Sequence, residues 1–330
     1  MDYSIDQVSL KSILEARNRI SNNIYRTPLL LSKTLSEKFD LEIYLKLECW
    51  QICGCFKVRG ALNLVSALSI EERNKGLITA SSGNHGTALS YAASLFGKLP
   101  VTIFVPDTAE PVKVNKIKSY GAQVVFAGEN YTKALKKALA YEKESGGTYA
   151  HSHGDPLVIS GQGTIGIEIM EDLPDVENIL IPVGGGGLLS GVATAAKTIN
   201  SKVKIYGIET EAAPGAYNSF KNNKLDEDVE ILPSLADGLL GTLTPLTFEI
   251  AKKYIEDIVV VSEESIKQAM CAFQEAEQLM IEGSASVGLA ALLSDKVKLE
   301  RNSKCVLVLT GRNISAVDGL SSITKRWVTR

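Results

Sequence analysis

Two kinds of apolar pattern alternate along this chain. Short unbroken apolar runs stand at 76–80, 101–105, 123–126, 179–183, 204–208, 257–261 and 305–309. Between them, apolar residues recur at three- and four-residue spacing over 84–96, 111–119, 130–144, 161–172, 188–199, 245–255, 263–280 and 284–294. Runs without alternation predict strands buried on both faces, and the periodic stretches predict the helices that cover them. An amphipathic helix is expected over 7–22, carried by Val8, Leu10, Ile13, Leu14 and Ile20, and Thr27-Pro28-Leu29 breaks it. Residues 42–48 alternate as a half-buried strand does. Strand following helix following strand argues an α/β protein with mostly parallel sheets.

Three breaks in the pattern carry candidate chemistry. The first, Gly54-Cys55-Phe56-Lys57-Val58-Arg59-Gly60, puts a lysine beside an aromatic where a glycine-punctuated loop gives way to helical periodicity (Val58, Ala61, Leu62, Val65, Leu68). A lysine by itself is ordinarily a solvated surface charge. The second and third are Ser81-Ser82-Gly83-Asn84-His85-Gly86 and Val183-Gly184-Gly185-Gly186-Gly187-Leu188, each between a strand and a helix. At such turns backbone N–H groups are free to hold an anion, although the serine loop also reads as a plain helix cap. A lysine able to form a Schiff base, together with a phosphate cradle, points to pyridoxal phosphate (PLP). The glycine run lacks the third glycine of a G-x-G-x-x-G fingerprint, so a dinucleotide site is the weaker reading, even with Glu209 ending the next strand.

Composition narrows the class. With 330 residues, 45% hydrophobic and 22% charged, the chain buries a large core and is expected to form two lobes. A net charge of −3 with scattered basic residues leaves no footprint for nucleic acid. No apolar run approaches the ~18 residues of a membrane span. The polar, acidic start (Met1 to Asp6) does not read as a signal peptide, and the five cysteines read as reduced thiols; a cytoplasmic protein is expected. His85, His151 and His153 share no metal-ligand spacing, and Cys49, Cys53 and Cys55 match none either.

These motifs resemble a family: the fold-type II PLP enzymes, two-lobed and tryptophan synthase β-like, in the group of threonine/serine dehydratases and serine racemases. The group is known for Ser-Phe-Lys-x-Arg-Gly-Ala, Ser-Ser-Gly-Asn-His-Gly, Gly-Gln-Gly-Thr-Ile and Gly-Gly-Gly-Gly-Leu segments. Here they read Cys55 to Ala61, Ser81 to Gly86, Gly161 to Ile165 and Gly184 to Leu188, with Ala236-Asp237-Gly238 and Glu282-Gly283-Ser284-Ala285 as further matches. The similarity runs from about Ile13 to Asn313.

The resemblance implies that Lys57 forms the Schiff base and then acts as base, with Ser82 on the opposite ring face as the second acid/base group of the racemases. It implies that Phe56, Asn84, Gly184, Gly185, Gly186, Gly187, Leu188, Gly238 and Thr310 hold the cofactor. Asn84 would meet the ring hydroxyl and Thr310 the pyridine nitrogen. Ser81, Ser82, Asn84 and His85 would bind the substrate. A neutral hydroxyl at the pyridine nitrogen does not keep a proton there, so the ring is a weaker electron sink and prompt loss of a β-leaving group is favoured. The implied activity is an L-threonine/L-serine ammonia-lyase, acting by α,β-elimination to a 2-oxo acid and ammonia. The alternatives are a serine or aspartate-type racemase with side elimination, and a non-catalytic PLP-binding amino-acid sensor.

The implied lobes are a large PLP-binding one, 1–51 with 150–330, and a small one, 52–149, with no regulatory domain at the C-terminus and a homodimeric assembly. The implied partner is a small hydroxy amino acid. The sequence departs from the group at several points. Cys55 replaces the usual serine and Cys53 an upstream threonine. His151-Ser152-His153-Gly154-Asp155 replaces a His-Pro-aromatic-Asp run, and Arg312 a glycine. Many relatives hold a divalent cation through a glutamate, a carbonyl and an aspartate. Glu209 and Ala213 match the first two, but Gly215 stands at the third, which leaves a divalent or monovalent cation site open.

Overall fold

The unbroken apolar runs become the strands of two sheets. The computed structural model describes residues 3–97 and 99–315. Its larger sheet has the order β1 (Leu29–Leu31), β2 (Glu42–Lys46), β10 (Lys304–Val308), β7 (Asn178–Pro182), β8 (Lys204–Thr210) and β9 (Asp257–Val261). Within it, β1 pairs antiparallel with β2 and the remaining pairs are parallel. The smaller sheet, β5 (Gln123–Phe126), β4 (Val101–Val105), β3 (Leu77–Ala80) and β6 (Thr148–Tyr149), is parallel throughout. Every residue of β4 and β7 is buried, which is why those runs show no alternation.

Helices cover both sheets. Those of the first half are α1 (Leu10–Ile20), α2 (Lys33–Phe39), α3 (Lys57–Ala67), α4 (Ile70–Lys75), α5 (Asn84–Ser94), α6 (Pro111–Ser119) and α7 (Tyr131–Ser145). Those of the second half are α8 (Pro156–Asp172), α9 (Gly187–Ile199), α10 (Gly215–Asn222), α11 (Pro245–Tyr254), α12 (Glu263–Glu277) and α13 (Gly283–Leu293). The α/β architecture is the expected one; the boundaries moved where chemistry overrode periodicity. Helix α1 starts later than the periodicity suggests because Ser9 caps it, leaving Ile5–Gln7 as a separate 3-10 turn. Helix α8 starts earlier: Asp155 accepts the Leu157 N–H at 2.7 Å and Pro156 opens the first turn. The short α4 left no periodic trace, since none of its residues is buried.

Glycines inside helices bring three of them into backbone contact. A Cβ on Gly161 would lie 2.6 Å from the Arg59 carbonyl of α3, and one on Gly191 would lie 2.4 Å from the Ile159 carbonyl of α8. The Gly161-Gln162-Gly163 segment is therefore a packing surface between α3, α8 and α9.

A buried ion cluster fixes the start of α3 against this layer. Arg59, with no exposed surface, makes two forked contacts: to both Glu48 oxygens at 2.8 Å, and to the Glu168 oxygens at 2.7 and 2.9 Å. Lys46, equally buried, adds Nζ contacts to Glu168 at 2.6 Å and to the Thr27 carbonyl at 2.7 Å. Two cations and two carboxylates thus neutralise one another two residues beyond Lys57.

Candidate active site

Lys57 owes its position to a turn that is tied to the end of the large sheet. The chain enters α3 through Cys53 and Gly54, both left-handed (φ 67° and 74°), and then an extended Cys55. Cys55 bridges Gly311, the Phe56 N–H donates to the Thr310 carbonyl at 3.1 Å, and the Arg312 N–H donates to the Gly54 carbonyl at 2.9 Å. The lysine and Thr310 are thereby brought together from opposite ends of the sequence. Lys57 Nζ donates to the Ser152 carbonyl at 2.9 Å and lies 5.2 Å from the centre of the Phe56 ring. Burial pulls the amine down to about 8, with the Cys55 and Glu282 groups opposing it. Such an amine is neutral for an appreciable fraction of the time near neutral pH, as a nucleophile and base must be.

The glycine loop follows β7 and leads into α9, whose first-turn N–H groups have no intrahelical partner. Gly186 sits at φ 81°, and a Cβ there would lie 2.6 Å from Leu243. Gly184 backs onto Leu239, while Gly185 and Gly187 back onto His153. Leu188 is buried below the loop. Gly238 donates its N–H to Ser284 Oγ at 3.0 Å, which places its 3-10 turn beside Gly184.

The serine loop follows β3 and opens α5. Ser81 Oγ accepts the N–H groups of Gly83 and Gly86 at 3.3 and 3.1 Å, and Ser82 stands part-exposed beside Gly83, whose Cβ side is open. The His85 ring turns inward: its Nε2 pairs with the Ala150 carbonyl at 3.0 Å, and burial pushes it down to about 3. What this loop offers an incoming anion is therefore its backbone donors and serine hydroxyls more than an imidazolium.

Asn84 belongs to a network that sequence reasoning missed. Its Nδ2 donates to both Glu282 oxygens at 3.0 and 3.2 Å, and its Oδ1 accepts Asn313 Nδ2 at 2.6 Å. The Asn313 N–H donates to Glu282 at 3.2 Å, and Lys116 Nζ reaches Asn313 Oδ1 at 2.5 Å. Burial pushes the Glu282 carboxyl up to about 7, against the lowering effect of Asn84. Glu282 lay within a family-like segment, but nothing in the sequence linked it to Asn313 or Lys116. The thiols of Cys53 and Cys55 are buried and pushed up by that burial, so both remain protonated packing groups.

The residues fit PLP. Thr310 Oγ1 is buried without a protein partner, at the end of the strand stitched to Phe56. A hydroxyl left bare in a well-bonded site is ready for a ligand atom. The cradle glycines leave no room for side chains on the faces packed against Leu239, Leu243 and His153, while their backbone stays free to approach a phosphate. The donor set for a divalent cation is poor. Both Glu209 oxygens accept N–H groups at the start of α10, from Ala216 at 2.9 Å and Tyr217 at 2.8 Å. Gly215 brings no third ligand, and burial pushes the Glu209 carboxyl up to about 8. Among the described residues no group of three or more His, Cys, Asp or Glu side chains converges on a metal position.

Comparison with known proteins agrees with this chemistry. The family described as pyridoxal-phosphate dependent enzyme matches residues 20–311. The chain is 43% identical over 309 residues to an L-threonine ammonia-lyase of Thermotoga maritima, covering 93% of this chain and 76% of that one. It is 37% identical over 319 residues to the catabolic L-threonine dehydratase of Escherichia coli (strain K12), covering 96% of each. The solved structure of maize serine racemase matches with a TM-score of 0.90 at 34% identity, covering 98% of each chain.

Proposed function

The chain belongs to the pyridoxal-phosphate-dependent enzymes, and from that premise we propose an ammonia-lyase that removes water from L-threonine and L-serine. The observation that carries the reading is the bare, neutral Thr310 hydroxyl beside the Lys57 turn. The bound cofactor supplies an electron-withdrawing ring conjugated to the substrate α-carbon. A neutral partner keeps that pull moderate, so electrons released at the α-carbon are spent on expelling the β-hydroxyl.

Lys57, with its depressed pKa, would take the α-proton, its amine steadied by the Ser152 carbonyl. The substrate carboxylate is received at the start of α5, by loop N–H groups with the hydroxyls of Ser81 and Ser82. Asn84, locked by Glu282 and Asn313, is the partner of the ring hydroxyl, and Gly184 to Gly187 with Leu188 hold the phosphate. The β-hydroxyl would leave as water, the proton taken from the α-carbon balancing the departing hydroxide. The released 2-aminoalkenoate then tautomerises and hydrolyses to the 2-oxo acid and ammonia.

We further assign a small lobe, 52–149, closing on a large one, 1–51 with 150–330. Support comes from contacts between distant segments at the site mouth: Asn84 with Glu282, Lys116 with Asn313, and Lys113 with Asp237 at 2.7 Å. Exposed Tyr25, Leu30, Leu31 and Trp50 suit the homodimer. No helix among the described residues is long and apolar enough to cross a membrane.

The second reading, a serine racemase, is favoured by Ser82 and by the likeness to the maize enzyme. One experiment separates the readings. PLP-loaded protein is incubated with L-threonine and with L-serine, and the 2-oxo acid formed and the chirality of the remaining amino acid are measured. Abundant 2-oxo acid with little D-enantiomer is expected; D-serine in excess of pyruvate would move the assignment to racemase. Lys57→Ala should abolish both products and the cofactor's visible absorbance, and retained turnover would remove the central claim.

A further inference from the structure

The segment between β6 and α8 is one place where this chain departs from the family's usual run, and the fold carries it against the glycine loop. A Cβ on Gly185 would lie 2.2 Å from His153 Cδ2 and 2.4 Å from its Nε2, so the imidazole lies directly on that glycine. The His153 backbone lies against Gly187, its carbonyl 2.7 Å from the Cβ position there. The outer edge of the ring borders the same space as a loop donor: beside Gly241, a Cβ would be 3.3 Å from Gly185 N and 3.9 Å from His153 Cε1.

The ring is held in one orientation. His153 Nδ1 pairs with Ser152 Oγ at 2.8 Å, which leaves Nε2 as the ring atom facing the loop. The turn beneath is fixed by His151, whose Nδ1 accepts the N–H groups of His153 and Gly154 at 3.3 and 2.9 Å. The two rings meet edge to face with centroids 4.5 Å apart. This contact fits either tautomer; the one in which the Ser152 hydroxyl donates to Nδ1 leaves the hydrogen on Nε2, which is then a donor.

We propose that His153 is a side-chain ligand of the cofactor's phosphate, its Nε2–H adding to the backbone N–H groups of Gly184 to Gly187, with Ser152 as the residue that sets its tautomer. This rests on the PLP-dependent reading of the site. A phosphate dianion wants many converging donors, and a glycine loop at one helix end supplies backbone donors only. A neutral imidazole on Gly185 adds a donor without adding charge beside Lys57.

The test compares PLP with pyridoxal, which lacks the phosphate. Dissociation constants of both are measured for the wild type, His153→Phe, His153→Gln and Ser152→Ala, alongside the phosphorus resonance of bound PLP. Phenylalanine keeps the ring on Gly185 but removes the donor; glutamine restores one. His153→Phe is expected to weaken PLP about tenfold while leaving pyridoxal unchanged, as loss of one hydrogen bond to a charged group requires. It should also shift the phosphorus resonance. His153→Gln should recover most of the affinity, and Ser152→Ala should lie between. Equal weakening of PLP and pyridoxal in His153→Phe would reduce His153 to packing and overturn the proposal. PLP binding unchanged in both His153 variants would overturn it as well. A wild type that binds neither compound would instead overturn the PLP-dependent reading, and the proposal with it.

Discussion

Glu282→Gln tests the electrostatics of the site while leaving the Lys57 side chain in place. Glu282 is 5% exposed and its carboxyl is pushed up to about 7, whereas an unfolded chain would return it to the ordinary value of 4.5. Below 4.5 both states hold the proton. As pH rises from there to about 7, the unfolded chain releases it and the folded protein does not, so folding stability falls by about 1.4 kcal/mol per pH unit. Above the folded pKa the loss is complete, on the order of 3 kcal/mol, and stays constant. Glutamine carries no such term. It introduces a fixed cost, because its amide cannot accept from both Asn84 and the Asn313 N–H as two carboxylate oxygens do, about 1–3 kcal/mol for one unmatched donor.

The fixed cost cancels when one pH is compared with another. Urea unfolding of cofactor-free wild type and Glu282→Gln at about pH 5 and about pH 8 should show the variant gaining about 2–3 kcal/mol on the wild type between them. A stability difference that is the same at both pH values would mean that the carboxyl titrates normally, and the buried-acid argument would fail. Activity gives an independent reading. If Asn84 is held by the ionised carboxylate, the acid limb of the wild-type kcat/KM profile contains a group near 7 that is missing from the variant.

Three further perturbations are worth making. Arg59→Met leaves Glu48 and Glu168 buried with Lys46 as their remaining cation, and should cost about 3–5 kcal/mol in urea unfolding; a loss under about 1 kcal/mol would mean that the cluster is solvated. Prolonged dialysis against EDTA should leave turnover and melting temperature unchanged, since the Glu209 oxygens are already bonded to α10; activity restored only by added magnesium or calcium would contradict the geometry. Ser82→Ala should depress D-serine formation more than 2-oxo acid formation, and equal loss of both would contradict its assigned ring face.

The sequence disclosed those parts of the site that a single chemical demand fixes locally. Four consecutive glycines are legible because side chains on them would meet Leu239, His153 and Leu243, and because one must adopt φ 81°. Strands such as β4 and β7 were legible because burial on both faces keeps their runs apolar but for Thr102 and Asn178. The Glu282–Asn84–Asn313–Lys116 network was not, because its members come from four separate segments and each alone is an ordinary polar residue. Lys46 and Glu48 were misleading in a specific way. Their alternation read as the wet face of a half-buried strand, yet both are fully buried, and Arg59, Glu168 and Thr27 make that tolerable.

The placement of the site follows from strand direction. Ser81 to Gly86 leave the carboxyl end of β3 in the small sheet; Gly184 to Gly187 and Thr310 leave the carboxyl ends of β7 and β10 in the large one. In parallel sheets those ends collect the loops and helix N-termini, so donors accumulate there without help from charged side chains. On the proposed reading each sheet alone supplies only part of the chemistry: the small one the loop that receives the substrate anion, the large one the phosphate cradle and the neutral hydroxyl. Lys57 joins them, because its turn is bonded to the strand end at Thr310 while its helix packs on α5 and α8. Burial is what depresses the pKa of its amine, so on the proposed reading the base depends on the packed site around it. On that reading, an arrangement that opened the site to water would return Lys57 towards the ordinary lysine value and weaken the base.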